Sequence, residues 1–344
     1  GCVLSLARFN RILEIDPANR TATVEPGVRN IAISEAAKPL GLYYAPDPSS
    51  QLACSIGGNV AENSGGVHCL KYGLTVHNLL KVKLLTSEGE WLELGSDALD
   101  APENDLLALI TGSEGLLGII MEITVRLLVE PAKAQVVMAA FHSLEAAGAA
   151  VAALIAEGII PAALEMMDSL ALNATEDFCH AGYPRDAAAM LLCEVDGDAG
   201  DVAEQIEAVT AVFTANGSYQ IQVSQSEDER ERLWLGRKSA FPAIGRIAPD
   251  YFCMDGTIPR RELGAVLAEI ADLSAAYGLP VANVFHAGDG NLHPLIAFDA
   301  NQAGELERAE ELGGKILELC VQVGGTVTGE HGVGVEKLDQ MCVQ

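Results

Sequence analysis

Short stretches of alternating apolar and polar residues, interrupted by glycine-rich segments, fill the first third of the chain. After Pro131 strand-length and helix-length apolar patterns succeed one another in regular order. In the first part the alternation predicts strands over 21–25, 79–86 and 91–94. The last two are joined by Ser87-Glu88-Gly89, a hairpin turn signal, and a β-branched strand run covers 119–129. Helical spacing covers 30–38, ending at Pro39 where the ring cannot continue the ladder, and 104–110. Residues 45–73 show few signals of regular elements, and residues 1–6 read as a strand already under way. Beyond Pro131 the order is strand 135–141, helix 143–157, strand 163–167, strand 188–195, helix 199–215 and strand 219–223. A second round has strand 251–258, helix 261–277, strands 281–286 and 292–298, and helix 304–323. Two βαβ rounds of this kind predict a ferredoxin-like antiparallel sheet with helices on one face, an α+β arrangement. A chain of 344 residues accommodates two domains, divided here at Pro131.

Charge narrows the function classes. A formal net charge of −27 argues against nucleic acid as partner, because phosphate contacts need clustered Lys and Arg. No apolar run reaches the ~20 residues of a membrane span. Eight cysteines are scattered without a CxxC pair, so neither a zinc ribbon nor an iron–sulfur cluster is encoded. Scattered thiols without a signal peptide point to a reducing, cytoplasmic compartment.

Two glycine-rich segments are candidates for backbone contact with a ligand. The first runs over 54–66 and contains Ser55, Gly57, Gly58, Asn59, Ala61, Ser64, Gly65 and Gly66. The second is Gly112-Ser113-Glu114-Gly115 with Gly118-Ile119. Glycine lets backbone N–H groups curl around an anion or a flat ring, but it also makes plain tight turns and helix C-caps. Neither segment is a GxGxxG fingerprint or a P-loop.

Histidines carry the sharper signal. His286 and His293 flank Gly288-Asp289-Gly290-Asn291, strong turn chemistry between two strand-like runs, so a hairpin brings both rings near one another. Glu330-His331 sits between glycines after the last long helix. Two imidazoles and a carboxylate form a catalytic metal set with open positions, although turn-capping histidines fit the same spacing. With Glu330 as a ligand, His331 is left to act as base. In Trp234–Lys238, Arg237 offers a planar fork for a substrate carboxylate, unless it lies on a solvated helix face. His68, His77, His142 and His180 have no such company and read as structural.

Taken together, the segments 44–50, 54–66, 71–73, 112–115, 234–238, 255–259, 286–293 and 329–332 resemble the FAD-linked 2-hydroxy-acid oxidases and dehydrogenases, and among them the glycolate oxidase branch. The resemblance implies an FAD-binding domain of the vanillyl-alcohol-oxidase type over 1–131, lacking its N-terminal lobe, and a cap and substrate domain over 132–344. It implies FAD contacts from Pro46, Asp47, Tyr72 and Gly73 as well as the two glycine-rich segments. It makes His286, His293 and Glu330 a set for a divalent metal such as zinc, His331 the base and Arg237 the carboxylate anchor. The implied reaction is oxidation of a small 2-hydroxy acid to the 2-oxo acid. Electrons would pass to an iron–sulfur or FAD-binding partner subunit or to a quinone, placing the protein in the cytoplasm or at the inner membrane through its partners. Where the hydroxyglutarate branch has a substrate-binding Lys this chain has Cys253, which favours glycolate or D-lactate over a dicarboxylate. The family's glycine-rich pyrophosphate loop would precede Gly1 and its closing segment would follow Gln344, so both ends are expected to be cut. A flavin-free metal-binding protein and an inactive partial gene product are the competing readings.

Overall fold

A computed structural model describes residues 3–96 and 104–344. The chain divides into two compact units, one of Gly1–Glu130 with Glu330–Gly332, the other of Pro131–Gly329 with Val333–Gln344.

In the first unit five antiparallel strands stand in the order Ile12–Asp16, Thr21–Val24, Ile119–Arg126, Leu79–Leu85 and Trp91–Gly95. Their alternate apolar side chains form one core with Ile33 and Ala37 of the helix Asn30–Ala37 and with Ile56 and Val60. The predicted 119–129 strand breaks at Leu127, and Leu128–Val129 instead pairs with Leu42–Tyr43. Pro39 does not end the helical stretch outright; it lies in a 3-10 turn, Lys38–Leu40, that Gly41 closes at φ +69°. Val3–Leu6 is not a strand, and Gly1 and Cys2 of that prediction lie outside the described residues.

The irregular 45–73 segment of the sequence reading holds two short helices, Ile56–Glu62 and Cys69–Tyr72. Ser55 caps the first by accepting from Gly58 N, and Asn63 ends it in the left-handed conformation at φ 54°. Two glycines in seven residues weaken helix propensity, but Gly57 is required. A Cβ there would stand 2.6 Å from Pro26 Cβ. Close packing overrode local preference.

The second unit is built on an eight-stranded antiparallel sheet. Its order is Ser218–Val223, Lys133–Phe141, Ala189–Gly197, Ala163–Asp168, Val281–His286 and Asn291–Phe298, and both Asp250–Cys253 and Gly256–Thr257 pair with the last strand. The two predicted βαβ rounds therefore fuse into one sheet through the pairing of Ala163–Asp168 with Val281–His286. Helices Ala199–Ala215, Leu144–Ala156, Leu263–Tyr277 and Glu305–Gln322 pack side by side in a row. A second group, Ser169–Cys179, Glu227–Lys238 and Ala240–Ala243, also packs on the sheet, and the central strands are buried at every position. The expectation of helices on a single face is thus incomplete. No described helix is long and apolar enough to cross a membrane.

The helix Ser169–Cys179 has no counterpart in the sequence reading. It starts because Asp168 Oδ1 accepts from Ala171 N, while Oδ2 accepts from Asn283 N and Nδ2. Burial raises the Asp168 carboxyl to about 6, and the hydrogen bonds from Ala171 and Asn283 only partly offset that. A raised carboxyl pKa means the folded state holds the proton more tightly than the unfolded chain. The stability this contributes is complete below pH ~4 and is lost as pH rises through about 6. In Asp168→Asn this titration disappears. Its unfolding free energy should gain on the wild type by ~2–3 kcal/mol between about pH 4 and pH 8, atop a constant offset from altered hydrogen bonds. Denaturant titrations across that range test it, and parallel pH profiles would sink it.

Candidate functional site

The chemistry-bearing residues of the second unit lie on one sheet face. Val281–His286 and Asn291–Phe298 form the predicted hairpin, with His286 opposite Asn291 and Val284 opposite His293. His286 and Val284 share a face because strand side chains alternate, so His286 and His293 are diagonal neighbours on it. Their ring centroids are 5.0 Å apart at 85°. Both are nearly fully buried, and Phe241 packs edge-on against His293 at 6.0 Å.

One acid that the sequence reading passed over completes this face. Met166 pairs with Phe285, so Glu165 stands beside His286 one step along the same register. His286 Nδ1 lies 2.8 Å from Glu165 Oε1 and 3.0 Å from Oε2. Arg237 Nε donates to Oε2 at 2.9 Å, and its Nη2 is 2.6 Å from the same oxygen. Arg237 is only 1% exposed, which removes the solvated-face reading. Burial alone would push the Glu165 carboxyl up. The charges of His286 and Arg237 and their hydrogen bonds outweigh it and hold the carboxyl below its ordinary range. The visible signal was an acid inside an otherwise apolar strand, which only a buried partner makes tolerable.

A second buried acid, Asp255, holds the loop that leads to Glu330. Its Oδ2 accepts from Thr328 Oγ1 at 2.7 Å and Gly329 N at 3.0 Å, and Lys337 Nζ approaches to 3.3 Å. Its Oδ1 is 3.5 Å from His293 Nε2. An added Cβ at Gly329 would meet the Asn291 side-chain amide, which would have to move aside. Cys253 ends the strand before Asp255 and is partly buried.

In the first unit the two glycine-rich segments join. Gly112 N donates to Val60 O and Glu114 N to Ala61 O, both at 2.8 Å, satisfying end carbonyls of the helix Ile56–Glu62. Gly57 N donates to Pro26 O, and Gly65 N donates to Glu330 Oε2 at 2.8 Å. These four N–H groups bond within the protein. Gly115, at φ +72°, has nothing within 4 Å of an added Cβ, and Gly58 meets only Ser55 Oγ at 3.5 Å. Gly118 is filled by Leu84, and Ile119 starts the central strand. Asn59 joins Asn30 Nδ2 and Ser64 Oγ in a buried polar knot, and Asn30 also donates to Pro46 O. Tyr72 and Gly73 end the helix Cys69–Tyr72, and their carbonyls accept from Asn78 Nδ2. Ser55, Gly27, Arg29, Asn10 and Ser5 line a cavity of about 700 Å³.

His331 is 43% exposed, with Nε2 3.9 Å from Glu330 Oε1. Gly332 follows at φ +84°, and an added Cβ there would run into the Glu62 and Glu114 carboxylates. Burial, then the nearby Glu114 charge, raises the Glu62 carboxyl. Among the four histidines read as structural, His68 has an acidic neighbour. Its Nδ1 pairs with Asp47 Oδ2 at 2.8 Å and its backbone N donates to Oδ1. His142 stacks on Tyr219, His77 accepts from Leu74 N, and His180 caps a helix.

Gly66 positions that Asp47–His68 pair. A Cβ at Gly66 would lie 2.5 Å from the Asp47 carbonyl carbon and oxygen, backbone atoms that cannot swing aside. Gly66→Ala is expected to destabilise the first unit by about 1–3 kcal/mol, read as a lowered melting temperature. Unchanged melting would show that the segment relaxes freely.

Residues 130–344 match the family described as "FAD linked oxidases, C-terminal domain", and residues 1–95 match "FAD binding domain". The glycolate oxidase subunit GlcD of Escherichia coli strain K12 is 64% identical over 344 residues, covering 100% of this chain and 69% of that protein. The subunit of the same name from Bacillus subtilis strain 168 is 39% identical over 338 residues, 98% of this chain and 72% of its own length. Among solved structures, p-cresol methylhydroxylase with substrate bound superposes with a TM-score of 0.75 at 16% identity, over 95% of this chain and 72% of that one. That likeness concerns the fold alone, a mixed α+β fold of the vanillyl-alcohol-oxidase type. With a family match across the second unit and a relative 64% identical over the full chain, the protein belongs to the FAD-linked oxidases.

Proposed function

We propose that this chain oxidises a small 2-hydroxy acid, glycolate or D-lactate, to the 2-oxo acid as the FAD-bearing subunit of a larger assembly. The observation that carries this reading is the buried His286–His293 pair, with Glu165 and Arg237 on the same sheet face, in a member of the FAD-linked oxidases.

The residues present fit the cofactor. Gly58 and Gly115 offer bare backbone to open space, as close approach of a flat ring requires, and the 700 Å³ cavity beside Ser55 is of ligand size. Pro46, Asp47, Ser55, Gly57, Gly58, Asn59, Ala61, Ser64, Gly65, Gly66, Tyr72 and Gly73 form one proposed wall. Gly112, Glu114, Gly115, Gly118 and Ile119 form the other. When bound, FAD supplies the acceptor for the hydride leaving the substrate α-carbon.

A divalent metal fits the imidazole pair of the second unit. Glu165 engages His286 Nδ1 and leaves Nε2 as the ligand atom, and His293 adds a second imidazole on the same face. Glu330 is the proposed third ligand, one residue past the Asp255-anchored Gly329. Bound there, a cation such as zinc would lower the pKa of the substrate hydroxyl. His331 accepts the hydroxyl proton, and the imidazolium formed stands beside the Glu330 carboxylate. Arg237, with Nε fixed on Glu165, uses its remaining donors for the substrate carboxylate. Residues 1–131 serve as the FAD-binding domain and 132–344 as the cap and substrate domain.

No CxxC occurs in this sequence, so electrons leave through an iron–sulfur or FAD-binding partner subunit or a quinone, in the cytoplasm or at the inner membrane. Dye reduction by the flavin-loaded protein, followed by identification of the 2-oxo acid, tests the reading. Dye reduction with neither glycolate nor D-lactate refutes it.

A further inference from the structure

We propose that Glu165 is a positioning residue that orients the proposed metal ligand and the proposed substrate anchor from one buried carboxylate. It holds His286 through Nδ1 and Arg237 through Nε. The inference rests on the function proposed above and adds to it a residue that touches neither substrate nor cofactor.

Glu165 is 1% exposed in a strand, Ala163–Asp168, whose every other position is buried too. An apolar side chain would serve the sheet better, because a buried ion pair seldom adds stability over well-packed hydrophobic residues. What a carboxylate adds is direction. As an acceptor-only group it requires a proton on the His286 nitrogen that faces it, 2.8 Å away, and that leaves Nε2 with its lone pair. The same carboxylate accepts from Arg237 Nε at 2.9 Å, which fixes the plane of the guanidinium and sets where its other donors reach. Arg237 in turn sets a guanidinium 2.6 Å from the buried carboxylate, on the oxygen that its Nε also reaches. Carboxylate partners of this kind fix the tautomer of ligating histidines, and their loss typically costs about 10–100-fold in metal affinity.

Glu165→Gln separates this role from mere packing. Gln has one acceptor oxygen, which the Arg237 cation claims. Its NH₂ group then faces His286 Nδ1 and forces that nitrogen to accept, moving the ring proton to Nε2. The chain labelled with ¹⁵N-histidine and kept metal-free reads this directly, with the His286 signal assigned by its loss in His286→Ala. The wild type should show Nδ1 protonated and Glu165→Gln should not. Titration with zinc alone should then give an affinity about 10–100-fold weaker in Glu165→Gln. In the flavin-loaded enzyme the KM for the hydroxy acid should rise, because a neutral amide oxygen braces Arg237 less firmly than the carboxylate does.

An unprotonated Nδ1 in the wild type overturns the proposal without any variant, so a Glu165→Gln chain that fails to fold leaves it testable. A folded Glu165→Gln chain with unchanged tautomer and zinc affinity also overturns it. An unchanged KM beside a changed tautomer removes the Arg237 half. A tautomer that responds as expected in a chain binding no zinc supports the orientation of His286 and instead defeats the metal reading of the site.

Discussion

His331→Ala is expected to lower turnover of glycolate or D-lactate by about 10²–10⁴-fold, the range that loss of a general base produces. KM should change little, because the ring is not the proposed carboxylate anchor. His331 is partly exposed, sits next to Glu330 at 3.9 Å and is followed by Gly332 at a left-handed φ. The local chain geometry depends on Gly332, where an added Cβ would meet Glu62 and Glu114, and not on the imidazole. Truncating the ring should therefore leave folding and flavin content intact. Steady-state kinetics beside a flavin absorbance spectrum of the same sample make the check. Turnover within about twofold of wild type at equal flavin content would remove His331 from the base position.

The second large effect concerns the imidazole pair. His286→Ala or His293→Ala should abolish retention of zinc through dialysis, and with it most of the activity. Two buried rings on one face supply the nitrogen donors. In His286→Ala, Glu165 keeps its ion pair with Arg237, so the loss should be one of metal and not of the whole sheet. Metal analysis of dialysed protein, with circular dichroism to confirm folding, distinguishes the two. Stoichiometric zinc in a folded His286→Ala chain would place the metal elsewhere.

The hairpin that carries these rings was legible in the sequence because two signals agreed there. Apolar runs of strand length bracketed a Gly-Asp-Gly-Asn turn, and a period of two then put residues 286 and 293 on a common face. Glu165 was not legible as part of the site. Its partners come from residues 237 and 286, and only the pairing of Ala163–Asp168 with Val281–His286 brings them together. Asp255 is legible only as part of a motif, since its work lies in contacts with Thr328, Gly329 and Lys337 far along the chain. The helix Ser169–Cys179 escaped because Asn173, Thr175, Glu176 and Asp177 blur its apolar stripe, while the buried cap at Asp168 was hidden in strand-like sequence. Residues 45–73 misled in the opposite direction. Glycines that look like loop punctuation are present because Pro26 and Asp47 leave no room for a Cβ. Periodicity reports which face is buried, and it is silent about which distant chain arrives there.

The central claim is that a hydroxy acid delivers its electrons to a flavin held by this chain. Anaerobic addition of glycolate or D-lactate to the flavin-loaded protein, followed by absorbance, tests it most directly. The account predicts loss of the oxidised flavin band with at least one of the two acids, and a sharply slower loss in His331→Ala. A band that persists unchanged with both, in protein that is folded and carries its zinc, would contradict it and favour a metal-binding role without hydroxy-acid oxidation.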